Sequence, residues 1–143
     1  MPTKPVWYYR QSGAIPIRHG EGGLEVLLVT SRRSKRWIVP KGIVDRDLTP
    51  AQSAAKEAWE EAGVLGVLSS DPIGVYRYEK WGGTCTVEVF VLDVEATADQ
   101  WPEPHRVRRW VGAAEAAEAL QEPELRALVL RLAEGLAGKG EGS

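Results

Sequence analysis

The chain has 143 residues, of which 43% are hydrophobic and 27% are charged, and its formal net charge at pH 7 is −2. This size suits one globular domain with its own core, and the small net charge argues against bulk binding to nucleic acid or to a membrane surface. The single cysteine excludes an internal disulfide. No apolar run approaches the roughly 18 residues of a membrane span, and the chain begins without a signal-peptide segment, so we expect a soluble cytoplasmic protein.

Strands are predicted for the first part of the chain. Loose alternation of apolar residues predicts a strand over 8–17, and a glycine-rich turn leads into a second strand over 24–31. A basic turn at 32–36 precedes a short buried strand over 37–40, which ends at a proline because proline cannot donate to a strand ladder. The loop that follows contains Gly42, where the missing Cβ lets the backbone approach a metal or a phosphate.

A helix with well-marked ends follows this loop. Thr49 is a favourable N-cap, Pro50 suits the first helical position, and Gln52 lies three residues after the threonine, as in a capping box. Alanines give the helix a high propensity and a slim face that can pack closely on a sheet. Gly63 is expected to end the helix in the left-handed conformation.

In the rest of the chain, apolar and polar residues alternate less regularly. We predict extended segments over 64–68 and 73–79, a long strand over 84–94 and a short strand over 107–111. Two helices follow, over 113–120 and from 123 to about 136, and the second carries leucines at the three- and four-residue spacing of an amphipathic helix. A disordered tail is expected over 138–143. This order of elements implies a mixed sheet flanked by helices.

Three carboxylates crowd one face of the predicted helix over 50–62. Glu57, Glu60 and Glu61 stand at positions i, i+3 and i+4, which fall within about one quadrant of an α-helix at about 100° per residue. Like charges this close repel each other unless a cation neutralises them. Hard oxygen ligands without His or Cys favour Mg²⁺ or Mn²⁺, and such an ion commonly assists reactions at phosphate esters and anhydrides.

The segment from Gly42 to Val64 resembles the Nudix box, whose pattern is G-x5-E-x7-R-E-U-x-E-E-x-G-U. The spacing agrees throughout, with two departures: Leu48 replaces the first Glu of the pattern, and Lys56 replaces the Arg. Lysine keeps the charge but lacks the planar bidentate fork of arginine. The resemblance implies a single Nudix hydrolase domain over 1–137, an α/β (α+β) fold of the Nudix type: an α/β/α sandwich with a mixed sheet.

The same resemblance assigns roles within the box. Glu57 and Glu61 are expected to bind Mg²⁺ together with a backbone carbonyl near Gly42, and Mn²⁺ is expected to substitute. Glu60 is expected to act as a further ligand or as the general base for the attacking water, so all three glutamates are candidate catalytic residues. Lys56 takes the structural place of the arginine that pairs with box carboxylates in the family, and Gly63 is the structural glycine of the box.

The likeness extends beyond the box. The runs at 26–32, 36–40 and 89–92, with Trp101 and residues 108–110, resemble diphosphoinositol polyphosphate phosphohydrolases. The part of the chain before residue 43 has eight basic residues but only two acidic ones, and Arg forks and Lys charges both suit phosphate oxygens. Five residues in this part are therefore predicted to bind substrate phosphates: Arg10, Ser31, Arg32, Arg36 and Lys41.

These observations favour a Mg²⁺-dependent hydrolase of phosphoanhydride bonds in nucleoside- or inositol-diphosphate-linked compounds. Diphosphoinositol polyphosphates and diadenosine polyphosphates are the leading substrates, since a phosphate-dense ligand accounts for the basic N-terminal part. The alternative enzyme acts on nucleoside triphosphates or RNA 5′ ends. A different class, a catalytically weak module that senses nucleotides or polyphosphates, is supported only by Leu48 and Lys56. The expected partner is a small phosphorylated substrate, and the chain is expected to be a monomer, with a dimer as the alternative.

Overall fold

The fold is seen in a computed structural model that describes the backbone of residues 1–142 and the side chains of residues 1–135. A short 3-10 turn, Val6–Tyr9, precedes the sheet. Within the described residues the strands are β1 (Arg10–Gly20), β2 (Gly23–Thr30), β3 (Trp37–Ile38), β4 (Lys41–Ile43), β5 (Val64–Leu68), β6 (Gly74–Lys80), β7 (Gly83–Thr97) and β8 (Arg108–Gly112). The helices are α1 (Pro50–Glu57), which continues into a π-helical segment (Ala58–Ala62), α2 (Ala113–Ala119) and α3 (Pro123–Gly142).

The strands form one mixed sheet around the pair β1 and β7. These two strands run parallel, in a register from Arg10 opposite Thr86 to Ile17 opposite Asp93. The main path of the sheet is β3-β2-β1-β7-β5, while β4 pairs with β1, β6 with β7 and β8 with β2, all antiparallel. The predicted mixed sheet is therefore confirmed.

Alternation along β1 divides the core into two layers. Ala14 packs in a layer with Ala54 and Ala58 of the box helix, whereas Ile15 lies in the layer that α2 and α3 cover with Leu120, Leu125 and other apolar residues. Successive side chains of a strand point to opposite faces, so one strand supports helices on both sides. The predicted sandwich of helices around a sheet is confirmed, and the slim alanine face brings the box helix close to β1.

The helix termini follow the local sequence signals. The Thr49 hydroxyl accepts the N–H of Gln52 at 3.1 Å, and the Gln52 side chain accepts the N–H of Thr49 at 2.9 Å, which completes the capping box. Gly63 adopts φ 65° and ψ 34°, the predicted left-handed conformation. The helix nevertheless changes character before its end, because residues 58–62 form a π-helical turn with i→i+5 hydrogen bonds rather than an α-helical one.

Two further features differ from the sequence expectations. The predicted loop after Pro40 begins with β4, whose three residues pair with Gln11–Gly13 of β1. Strand β7 is also longer than predicted at both ends. The disordered tail predicted over 138–143 lies outside the residues whose side chains are described. No helix in the described part of the chain is long and apolar enough to cross a membrane.

Candidate active site

Glu57 and Glu61 form a pair of carboxyls beside Gly42. A Cβ on Gly42 would collide with the Glu57 carboxylate, so any other residue at this position would displace that carboxyl group. Glu61 is only 6% exposed, and its Oε1 accepts the backbone N–H of Lys41 at 3.3 Å. Strand β4 therefore contacts two carboxyl groups that lie one turn apart on the box helix.

This pair carries an unfavourable concentration of negative charge. Burial, the charges of Glu61 and Glu60 and a hydrogen bond with the Glu61 carboxyl together raise the pKa of Glu57. Burial also raises the pKa of Glu61, although the charges of Arg106 and Lys41 oppose the shift. Both shifts disfavour two negative charges at this pair, and a bound cation or a proton would offset them.

The donor chemistry at this pair fits a hard divalent cation. Mg²⁺ prefers oxygen ligands and is commonly bound by one or two carboxylates together with substrate phosphates, and the Glu57 carboxylate occupies the space that a side chain at position 42 would fill. In the described residues no three His, Cys, Asp or Glu side chains converge on one point. Glu57 and Glu61 thus suit a site that phosphate oxygens complete, rather than a closed all-protein cage.

Glu60 pairs with a lysine of the same helix. Its Oε2 is 3.9 Å from Nζ of Lys56, and the same ammonium lies 3.4 Å from Asp45 Oδ2. The charge of Glu60 is the main reason why the pKa of Lys56 is raised. Glu60 also remains close enough to Glu57 for its charge to contribute to the raised pKa of Glu57.

Arg106 is a site residue that the sequence analysis missed. Its side chain is buried, its Nε and Nη2 each lie 2.9 Å from Glu103 Oε1, and its Nη2 is 3.9 Å from Glu61 Oε2. Nη1 donates to the carbonyl of Thr30 at 2.9 Å, which ties the guanidinium to β2. Arg106 supplies the positive charge nearest to the buried Glu61, and no spacing pattern in the sequence connects the two residues.

A strap formed by residues 98–108 caps the carbonyl end of the box helix. Four consecutive carbonyls accept hydrogen bonds from it: Glu60 from the Glu103 N–H at 3.1 Å, Glu61 from Trp101 Nε1 at 3.0 Å, Ala62 from Arg108 Nη1 at 3.1 Å and Gly63 from the Ala98 N–H at 2.8 Å. The last carbonyls of a helix lack partners within the helix. The strap therefore satisfies the helix end and fixes the turn that carries the glutamates.

Close packing accompanies the hydrogen bonds of the strap. The Arg108 guanidinium lies 3.8 Å from the centroid of the Trp101 ring, a stacked cation–π contact. A Cβ on Gly63 would come within 2.9 Å of Trp101. The left-handed backbone and the lack of a side chain at Gly63 are thus both needed where the strap crosses the helix end.

Three of the predicted phosphate-binding residues have protein partners. Arg36 Nη1 lies 2.9 Å from both Gln121 Oε1 and Glu122 Oε2, at the start of α3. Ser31 Oγ lies 2.7 Å from Ser34 Oγ, within the basic turn. Arg32 is exposed, with Nη2 at 3.8 Å from Glu103 Oε1, so it lies at the outer edge of the Arg106 and Glu61 cluster.

Lys41 and Arg10 lie on different sides of the box. The Lys41 ammonium is 4.9 Å from the centroid of the Tyr78 ring, and burial lowers its pKa, an effect that Glu61 opposes. Arg10 is exposed at the start of β1 and lines a cleft beside the box loop. The structure therefore does not gather the five predicted phosphate ligands into one cluster.

Comparison with known proteins identifies the family. The family model described as NUDIX domain matches residues 8–132. The chain is 37% identical over 109 residues to Nudix hydrolase 13, mitochondrial, of Arabidopsis thaliana, covering 68% of this chain and 54% of that protein. It is also 37% identical over 101 residues to diphosphoinositol polyphosphate phosphohydrolase 2 of Rattus norvegicus, covering 68% of this chain and 55% of that protein. The chain belongs to the NUDIX domain family, and it spans only about half the length of these curated relatives.

A solved structure supports the same fold. The Ap4A hydrolase of C. elegans, in a binary complex, matches with a TM-score of 0.80 at 24% identity, over 91% of this chain and 98% of that chain. At this identity the likeness establishes the fold alone. The open mixed sheet with helices on its faces is therefore a Nudix fold.

The buried carboxyl pair predicts an unusual dependence of stability on pH. The folded-state pKa values of about 8 for Glu57 and about 7 for Glu61 lie above the unfolded value of 4.5. Between pH 4.5 and about 8 the folded state binds more protons than the unfolded state, so this pair makes the metal-free protein less stable as the pH rises. Thermal melts in EDTA should show a falling Tm from pH 5.5 to 8.5. A Glu57→Gln variant should flatten this slope, and an equally steep slope in the variant would contradict the assignment.

The strap predicts a specific role for one indole N–H. Trp101→Phe keeps an aromatic ring beside Arg108 but removes the donor to the Glu61 carbonyl, which should lower the free energy of unfolding by about 1 kcal/mol. The matched control is Trp110→Phe, a half-buried indole of β8. Denaturant unfolding of both variants provides the measurement. Equal destabilisation by the two substitutions would show that ring size, not the hydrogen bond, stabilises this helix end.

Proposed function

We propose that the protein is a hydrolase of phosphoanhydride bonds that depends on Mg²⁺, for which Mn²⁺ can substitute. The observation that carries the proposal is the buried pair of Glu57 and Glu61 beside Gly42, in a chain of the NUDIX domain family. Two like charges in this position are costly to the free protein and favourable to a bound cation. The proposed substrate is a small phosphorylated compound.

The residues around this pair would divide the work of the reaction. Glu57 and Glu61 would hold the ion with a backbone carbonyl near Gly42, and the bound ion would offset charge on the phosphate oxygens and lower the pKa of water. Glu60, half-exposed and 3.9 Å from Lys56, would serve as a further ligand or accept the proton of the attacking water. Arg106 would keep Glu61 ionised and oriented through its contacts with Glu61 and Glu103.

The substrate class is proposed from the relatives and from charge. One matched relative is named diphosphoinositol polyphosphate phosphohydrolase 2, and one matched structure is named an Ap4A hydrolase. We propose diphosphoinositol polyphosphates and diadenosine polyphosphates as the leading candidates, and nucleoside triphosphates or RNA 5′ ends as the alternative. Within the basic turn, the exposed Arg32 near Glu103 is proposed to contact substrate phosphates.

Two further predictions belong with this proposal. A monomer remains the proposed state, with a dimer as the alternative. A cytoplasmic location also remains a prediction, although several relatives carry the words mitochondrial or chloroplastic in their names.

Glu61→Gln tests the proposed chemistry. The amide still accepts the Lys41 N–H but carries no charge, so the fold should persist while the ion is lost. Hydrolysis of diadenosine polyphosphates, diphosphoinositol phosphates and nucleotides should fall at least about 100-fold. Substitution of even an outer-shell partner of a metal ligand typically lowers metal affinity or activity ~10–100-fold. The exposed Glu118→Gln on α2 is the matched control. Chromatographic detection of products in the presence of Mg²⁺ provides the measurement.

The same panel distinguishes an enzyme from a sensor. A sensing module would bind a substrate without forming products, and Glu61→Gln would leave that binding unchanged.

Lys56→Arg should raise turnover modestly in the enzyme, because the guanidinium can engage Glu60 and Asp45 with a planar fork. A large fall in turnover would contradict the structural role that we give to Lys56.

A further inference from the structure

A cleft of about 810 Å³ opens beside the box loop. The turn before β1 supplies one wall with Trp7 and Tyr8, Arg10 lines its edge, and the box contributes Leu48 and Lys56. This volume falls within the usual range for small-molecule sites, which are largely apolar with a few polar groups. The cleft lies on the α1 side of the sheet and includes none of the three box glutamates.

The aromatic wall of the cleft presents a large ring to solvent. The Trp7 side chain is 59% exposed, and its ring centroid lies 4.4 Å from that of Tyr8. Tyr8 in turn packs edge-on against Trp81 at 5.4 Å, and the Tyr9 hydroxyl donates to the Trp81 carbonyl at 2.6 Å. Tyr8 thus connects Trp7 to Trp81, and the exposed part of the Trp7 ring is available for a second flat ring.

Leu48 contributes an apolar part of the cleft lining, here called its floor. This is the position where the Nudix box pattern has a glutamate, so the departure removes a negative charge from the cleft. The lining cations are Arg10, Arg46 and Lys56, and the acidic residue Asp45 lies 3.4 Å from the Lys56 ammonium. An apolar slot with an aromatic wall and cationic edges suits a planar heterocycle that carries an anionic group.

The cleft also lies next to the box carboxylates. Lys56 lines it and is 3.9 Å from Glu60, and the lining residue Ile43 directly follows Gly42, against which Glu57 packs. A base in the cleft would therefore direct its attached phosphates past Arg10 and Lys56 towards the glutamates.

We propose that this cleft binds the base of a nucleotide-linked substrate by stacking on Trp7 over Leu48. The assignment deepens the proposed function, since it selects dinucleoside polyphosphates over diphosphoinositol polyphosphates, which carry no aromatic ring. The claim that the cleft binds a base depends only on the structure of the cleft. The claim that this binding positions a substrate for hydrolysis rests on the proposed function.

Calorimetric titration in EDTA tests the cleft independently of hydrolysis. The probes are diadenosine tetraphosphate, inorganic tripolyphosphate as a base-free anion and inositol hexakisphosphate as a phosphate-dense one. Trp7→Ala should weaken binding of diadenosine tetraphosphate at least about fivefold, the factor that corresponds to a stacking free energy of about 1 kcal/mol. Trp7→Phe should retain most of the affinity, and tripolyphosphate should bind both variants equally.

Two further variants complete the design. Leu48→Glu should weaken diadenosine tetraphosphate binding several-fold, since it introduces charge into the floor, and it provides a second test if Trp7→Ala does not fold. Val67→Ala, which removes another exposed apolar side chain, should have no effect.

The proposal is overturned if the wild-type protein binds inositol hexakisphosphate more tightly than diadenosine tetraphosphate. It is equally overturned if that dinucleotide does not bind, or if neither Trp7→Ala nor Leu48→Glu weakens its binding. If the variants change the affinities as expected but the protein hydrolyses none of the substrates, the proposed function is refuted and the base-binding cleft is not.

Discussion

The structure depends on holding two carboxyl groups, Glu57 and Glu61, together against Gly42. Their repulsion and burial disfavour the charged forms, so the surrounding elements must fix the helix that carries them. The alanine face packs the helix on β1, Gly42 provides the space for close approach, and Arg106 supplies a compensating charge. In physical terms, the fold maintains a site that remains electrostatically incomplete until a cation or protons occupy it.

The strap over 98–108 connects this site to the rest of the fold. Its donors reach four consecutive carbonyls of the box helix, and Arg106 links Glu61 to Glu103 and to β2. Helix termini are otherwise prone to fray. The strap is remote from the box in sequence and contains none of the box glutamates, yet it helps to fix the orientation of the helix that carries them.

Local rules predicted the parts of this site that neighbouring residues determine. Thr49 and Gly63 mark the helix ends through capping and left-handed geometry, and the spacing of the glutamates places Glu57 near Glu61. Sequence reasoning missed Arg106, the strap and the π-helical turn, because tertiary contacts create them and no periodic pattern records such contacts. It predicted a phosphate-binding role for Arg36 but not the contact of this arginine with Glu122, which joins segments far apart in the chain.

The most direct test of the account is the number of protons released when Mg²⁺ binds. Titration calorimetry at pH 7 in buffers of different ionisation enthalpy measures this number. If the ion replaces the proton retained by Glu57 and Glu61, binding should release about one proton, and Glu57→Gln should abolish most of the release. If Mg²⁺ does not bind, or if Glu57→Gln leaves both the affinity for Mg²⁺ and the proton release unchanged, the carboxyl pair is not the cation site.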